Sequence, residues 1–388
     1  MAVGLANFLF HAGGPHDRAT ALVHRAVKLA EELQSDVRTI EAMSGLWIMG
    51  LSVADYAAMD RASNNVRHLA ERSGDRPGQV FSIMMEAMAC TFSGELERAK
   101  QLAQRAFDEP SPRLVLSYHA PLTMDQNRSF PIPKPRALFL QGELEAGLAL
   151  SREVTDLASK IDHQVPLMIT LGLLACPVAF WSGDWQLAAE LIDRFKQHID
   201  RHSAAYYRRQ WVRGYELALR LCEQDAVETS PTTDFDMLLH DHLCTIHEDF
   251  VTPGALARAN AGKAGWAAPE IFRAQGNRLL RNGAACEGES LLRKAVEVAQ
   301  HQGARFWELR AATDLASYLQ TVDRRAEAVQ TLESIFAAFA DGPQLRDVQK
   351  HNRCGPHSTS LQFENSADAV ARLNKTQRRD SGAFAYSL

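Results

Sequence analysis

The chain reads as an all-α protein: a superhelix, or solenoid, of about seven to eight helix hairpins with a repeat period near 40 residues. Three observations predict this. The stretch Ala268 to Gln302 divides at Asn282 and Gly283 into two amphipathic halves. Phe272, Gly276 and Leu279 form an apolar stripe on the first, and Gly288, Leu292 and Ala295 on the second, at the i, i+3/i+4, i+7 spacing of a 3.6-residue period. The small residues Gly276 and Gly288 stand where the two helices cross most closely. Finally, the pattern of the second half recurs along the chain, counted from turn origins at 14, 54, 94, 142, 183, 283 and 323, most of them 40 or 41 residues apart.

The recurring signature is a small or apolar residue five, nine and twelve positions after each origin. Gly14 is followed by Ala19, Val23 and Ala26; Ala54 by Met59, Ser63 and Val66; Gly94 by Ala99, Ala103 and Ala106. Gly142 gives Gly147, Ser151 and Val154; Gly183 gives Ala188, Ile192 and Phe195; Asp323 gives Ala328, Leu332 and Ile335. The preceding helices carry a matching pair, Ala87 and Cys90, Cys176 and Ala179, or Ala316 and Leu319. The wide interval between 183 and 283 leaves room for a degenerate unit near Gln224.

Two insertions interrupt the pattern. Residues 109–136 hold six of the fifteen prolines, Pro110, Pro112, Pro121, Pro131, Pro133 and Pro135. Each removes a backbone donor and fixes φ, so helix is not expected to continue there. Residues 223–265 form an irregular unit, in which TSPTTD precedes an apolar, histidine-rich helix expected over Phe235 to Val251. The domain organisation is therefore one helical-repeat domain over 1–340 and a poorly ordered tail over 341–388. That tail is rich in Gly, Pro and Ser and has room for one short helix, Ser366 to Leu373.

With 388 residues and 46% hydrophobic content, the chain has ample material for a large core. A net charge of -5 supplies no global basic field, so nucleic acid and anionic lipid are not expected partners. The six cysteines, Cys90, Cys176, Cys222, Cys244, Cys286 and Cys354, contain no CxxC pair and suit a reducing cytoplasm. The apolar opening MAVGLANFLFHAGG lacks a basic n-region and reads as a buried helix. No membrane-spanning run is expected further along.

Helix hairpins that cannot bury their apolar faces alone and therefore stack resemble tetratricopeptide (TPR) repeats. The period of about 40 exceeds the ordinary 34, which longer first helices would explain. Two segments carry a more particular resemblance, LACPVAFWSGDWQLAAELI (Leu174 to Ile192) and AVEVAQHQGARFWELRAATDLASYLQ (Ala295 to Gln320). They are similar to the TPR-type carboxyl-terminal region of large bacterial STAND-type signal-transduction ATPases, transcriptional regulators or adenylate cyclases. The resemblance covers about residues 5 to 340 and rests most on GARFWELRAATDLA. It implies a region that senses an inducer or partner and restrains an ATPase. No winged helix, P-loop or cyclase domain accompanies it here, and the sequence after Asp341 departs from the family pattern.

Motifs that carry chemistry are few. Ala261-Gly262-Lys263-Ala264 falls short of a P-loop, with Ala257 where a glycine is needed and Ala264 without a hydroxyl. If residues 240–247 are helical throughout, His240, Cys244 and His247 share one stripe, a plausible set of three zinc ligands. A competing apolar stripe runs through Phe235, Leu238, Leu239, His242, Ile246 and Phe250, and leaves His240 and His247 on a solvated face. His351, Cys354 and His357 make a looser trio in the tail.

Solenoid geometry supplies the other candidates, because in a TPR stack the first helix of each pair lines the concave face. That rule selects an apolar groove of Phe81, Met84, Met88, Phe92, Phe139, Leu140, Phe180 and Trp181. Toward the carboxyl end it selects a polar, partly cationic surface that includes Glu270, Arg273, Asn277, Arg281, Arg310 and Gln320. Ordinary core and an ordinary solvated face remain the alternatives. The leading functional expectation is a non-enzymatic, cytoplasmic interaction or sensor module that binds a protein, a peptide or a small inducer, with a separate ATPase or regulator as one partner and no cofactor. The alternative is a metal-dependent enzyme centred on His240, Cys244 and His247.

Overall fold

The computed structural model describes residues 16–108, 132–161, 164–201, 209–223 and 235–339. Every long element among them is a helix, and no strand occurs among the described residues. After α1 (His16–Glu32), hairpins pair α2 (Asp36–Ser52) with α3 (Tyr56–Ser73) and α4 (Arg76–Ser93) with α5 (Leu96–Asp108). Next come α6 (Pro133–Leu140) with α7 (Leu144–Ser159), then a rod made of α8 (Gln164–Thr170), a π turn (Leu171–Ala175) and α9 (Cys176–Ser182), which pairs with α10 (Trp185–Arg201). Following α11 (Arg209–Glu223) are the short α12 (Met237–Ile246) and α13 (Pro253–Asn260). The regular pairs α14 (Ala268–Arg281) with α15 (Ala285–Gln302) and α16 (Arg305–Thr321) with α17 (Arg325–Phe339) complete the stack.

The turns show why these sequences fold back where they do. Six of the seven origins lie among the described residues, and all six are left-handed: Gly94, Gly142, Gly183 and Gly283, together with Ala54 at φ 52° and Asp323 at φ 60°. Left-handed residues also separate one hairpin from the next, at Gln34, Gly74 and Gly303. The breaks therefore fall at 34, 54, 74 and 94, and again at 283, 303 and 323. The underlying unit is one helix plus one turn every twenty residues, and the period of 40 is two of these. Where a side chain can cap the next helix it does so, as Asp55 does by accepting from Ala58 N at 2.9 Å.

The stripe after each turn is the face buried against its partner. Ala99, Ala188, Leu292, Ala295 and Ala328 are almost wholly buried, and so are Met59, Ser63, Val66 and Phe195. Ala26 alone of the described stripe residues is only half-buried. Gly276 and Gly288 form the expected close crossing of α14 and α15. A β-carbon added to Gly288 would lie 2.7 Å from Leu280 Cδ2 and 2.9 Å from Gly276 O.

Two expectations need correction. Helix resumes inside the proline-rich insertion, because α6 begins at Pro133 and contains Pro135 and Arg136. Both prolines occupy the first turn, where backbone N–H groups have no helical acceptor to lose. Residues 109–131 lie outside the described residues, as do the amino-terminal 1–15 and the tail with its expected helix at Ser366 to Leu373. An uncharged run long and apolar enough to cross a membrane does occur, at Val165–Ser182. Nearly all of its residues are buried inside the protein, where they form the π-containing rod.

The first helices of the hairpins do not enclose an open groove. Their inner side chains converge on residues 237–267, the irregular unit, which sits against the stack from within. Asp241 of α12 accepts from Tyr56 Oη at 2.9 Å and pairs with Arg258 of α13 at 2.6 Å. Arg258 also reaches the Ala54 and Lys263 carbonyls. Gln302 Nε2 donates to Gly265 O at 2.8 Å, and Phe139 meets Phe306 edge-on at 5.0 Å. One continuous apolar core consequently runs from Ile40 to Ile335, with small satellites at each end.

Candidate functional site

The site begins with a proline. Pro177 has no N–H, so Leu173, four residues earlier, lacks its α-helical donor. The π turn deepens the deficit, because Cys176 N donates to Leu171 O and skips Gly172. Two carbonyls in the middle of a buried helix are left without backbone partners, and buried acceptors need some donor. Tyr215 of α11 donates its hydroxyl to Gly172 O at 2.6 Å. Arg136 of α6 donates from Nη1 to Leu173 O at 2.5 Å.

Arg136 is 0% exposed. Its register explains its direction: it stands six residues before its turn at Gly142, as Met88 and Pro177 stand six before Gly94 and Gly183. Besides Leu173 O, Nη1 meets His242 Nε2 at 3.1 Å. The tautomer of His242 follows from its other side, where Nδ1 lies 2.8 Å from Leu238 O, an atom that can only accept. Nδ1 therefore carries the proton, and Nε2 offers Arg136 its lone pair. The guanidinium carbon lies 4.3 Å from the ring centroid of Trp266, 4.9 Å from Trp181 and 5.0 Å from Phe92. Those π faces favour the cation but offer no lone pair to an N–H. Among the described residues Nε and Nη2 of Arg136 have no hydrogen-bond partner, and neither does the buried indole N–H of Trp307. No carboxylate among the described residues pairs with Arg136. Burial pushes the guanidinium down to about 9, opposed by the Tyr215 and Tyr56 hydroxyls, so it remains a cation at neutral pH.

The expected groove residues belong to this interior. Met88, Phe92, Phe139, Leu140, Phe180 and Trp181 are buried core, while Phe81 and Met84 are half-buried. The open groove is thus corrected to a closed one, because the irregular unit covers the inner faces of the first helices. Phe92, Trp181 and Trp266 pack around Arg136, and Trp181 continues to Trp307 with ring centroids 5.4 Å apart.

The polar set is brought together as a network of mutual pairs. Arg273 holds Glu270 through Nε and Nη2, both at 2.9 Å, and Asp314 at 2.7 Å. Asn277 donates to Asp314 at 2.5 Å, and Arg310 reaches Glu270 at 3.1 Å. Two arginines are balanced by two carboxylates, so the surface is not the cationic patch the spacing suggested. Arg281 lies apart from the network and pairs with Glu248 of the irregular unit. Gln320 is half-buried.

The proposed metal stripe does not form. Helix α12 ends at Ile246, and His247 is extended, with φ -140° and ψ 141°. Its Nδ1 accepts from Asp249 N at 3.3 Å, so it caps the next turn and no longer shares a face with His240 and Cys244. Those two share a single acceptor, Phe250 O, at 2.9 Å from His240 Nε2 and 3.3 Å from Cys244 Sγ. A carbonyl only accepts, so both atoms carry protons where a metal would need lone pairs. Burial raises the Cys244 thiol well above its usual range. Among the described residues no three metal-binding side chains converge. The near P-loop is also structural: Lys263 O accepts from Arg258, and Gly265 packs against the Phe92 carbonyl.

Sequence reasoning missed Arg136 and His242 as partners. In the sequence Arg136 stands only at the boundary of a proline-rich insertion, and His242 only within an apolar stripe. The available signal was a lone arginine in the run PKPRALFL, six residues before a turn, where other units place Met88 or Pro177. No protein-family model matches the chain, and no curated protein sequence matches it.

Proposed function

We propose that the chain is a non-enzymatic helical-repeat sensor: it admits a small inducer to its closed interior and reports occupancy to a protein partner. The observation that carries this reading is the unpartnered edge of Arg136 in an aromatic interior. The neighbouring charged groups engage one another, Asp241 with Arg258 and Glu270 with Arg273 and Arg310, and are committed to holding the fold. A buried donor with no acceptor is unfavourable unless something else uses it. The resemblance of Leu174 to Ile192 and Ala295 to Gln320 to the sensor region of STAND-type regulators supports a role in bacterial signalling or transcription control. On that reading a separate ATPase or regulator is the partner, and the compartment is the cytoplasm.

The test is a thermal-shift screen of the full chain against a panel of small metabolites, with each compound assayed for turnover in parallel. Saturable stabilisation by a compound that is recovered unchanged supports a sensor. A compound that stabilises and is consumed, or a panel without a single shift, overturns it.

A further inference from the structure

We propose that the Nε–Nη2 edge of Arg136 is a binding site for a small organic carboxylate with an apolar, ring-sized body. The inference deepens the sensor reading and rests on it. A guanidinium has five N–H groups. Nη1 uses both of its own, on Leu173 O at 2.5 Å and His242 Nε2 at 3.1 Å. The three that remain are on Nε and Nη2 and have no partner among the described residues. Two of these, the Nε–H and the Nη2–H on the same side, point in parallel within one plane. That is the fork an arginine presents to the two oxygens of a carboxylate.

Charge selects the class further. Arg258 is neutralised by Asp241, and Arg273 and Arg310 by Glu270 and Asp314, so Arg136 offers a positive charge that no carboxylate among the described residues compensates. A monoanion matches it, whereas a phosphate dianion would bring a second negative charge into a low-dielectric interior without a counter-charge. Phe92, Trp181 and Trp266 pack around the guanidinium with ring centroids at 4.3 to 5.0 Å from its carbon, so the surroundings of the edge are apolar and aromatic and suit an apolar body. One ring further along, Trp307 holds an indole N–H with no partner, a donor for a carbonyl or hydroxyl at the far end of a longer ligand.

Trp266 belongs to the irregular unit, and the unpartnered nitrogens are shielded from solvent. Entry then calls for an opening beside these rings, and on this proposal residues 237–267, which carry Trp266, lift from the stack and close again over the ligand. Binding and the seating of that unit are one equilibrium, which is how occupancy of so buried a site would be felt at the surface.

The experiment follows tryptophan fluorescence and thermal stability of the full chain with three probes: 3-phenylpropanoate, its uncharged amide 3-phenylpropanamide, and inorganic phosphate. The carboxylate is expected to saturate, the amide to bind at least ten-fold more weakly, and phosphate to leave both signals unchanged. Arg136→Lys keeps the charge and loses the fork, and should weaken the carboxylate at least ten-fold while far-UV circular dichroism stays that of the parent. Should Arg136→Lys fail to fold, the carboxylate-to-amide ratio on the parent protein decides alone. Equal affinity for acid and amide, or a preference for phosphate, overturns the carboxylate assignment. If a neutral metabolite from the wider panel stabilises the protein and loses its effect in Arg136→Lys, the ligand class is wrong and the sensor reading stands. If nothing in either panel binds, both fall.

Discussion

At Gly265 the space left for a side chain decides whether the irregular unit can dock. A β-carbon there would lie 2.0 Å from Phe92 O, and the residue holds φ 49°. Alanine would have to push the loop off the α4 carbonyl and adopt a conformation that L residues rarely hold. Gly265→Ala should lower stability by about 1 to 3 kcal/mol, the range for overpacking, as read from urea denaturation. An unchanged midpoint would mean that the loop is not seated on Phe92. His240 gives the acid-side prediction. Burial holds its imidazole below its ordinary value, opposed by neighbouring Asp241 and the bond to Phe250 O. A depressed folded pKa contributes stability that is present above pH ~6.5 and is lost as pH falls through the folded value. Denaturation midpoints of the parent should therefore fall from pH 7 toward 5, and less steeply in His240→Gln, whose amide can still donate to Phe250 O. Parallel profiles would sink the assignment.

At the scale of elements, Gly288 tests the hairpin. Leucine there would collide with Leu280 and the Gly276 carbonyl, and Gly288→Leu should destabilise by about 1 to 3 kcal/mol. The loss should spread to the α16–α17 pair through their shared interface, visible as faster amide exchange in both hairpins. Elements of this kind were legible in the sequence for a physical reason. A helix that must reverse direction needs a left-handed residue, and one that must lie close to its neighbour needs a small one, so both leave composition at fixed spacing. That spacing alone marks Ala54 and Asp323, although neither is glycine. The π turn was not legible, because Pro177 shows that a backbone donor is missing but not which carbonyl suffers or who repairs it. Arg136 lies 37 residues from Leu173 and 106 from His242. The helical stripe of His240, Cys244 and His247 failed because the periodicity assumed a helix one turn longer than the capping at His247 allows.

At the scale of the molecule, periodicity identified which side chains turn away from their partner helix but not what covers them. Phe92, Phe139 and Trp181 are buried core rather than groove; Trp266 of residues 237–267, which packs on Phe92 and Trp181, comes from the stretch where the repeat fails. Asp241 and Arg258 hold that stretch to the amino-terminal hairpins. Asp241→Ala would leave Arg258 partly buried and unpaired, with an expected loss of about 3 kcal/mol or more in denaturant titrations. The double variant Asp241→Leu with Arg258→Met should lose less than the sum of the two single changes. Strict additivity would mean that the pair does not act as a unit.

The seated irregular unit also changes how the stack carries force. An open helical-repeat superhelix is a spring: each unit touches only its neighbours, so a pull on one end is shared out as small rotations and never concentrates. Here Tyr56, Phe92 and Gln302, from hairpins remote in sequence, all bear on residues 241–266. The result behaves as an arch with a keystone. Load passed between those hairpins would run through the wedge, and the stone next to it is Arg136, packed on Trp266.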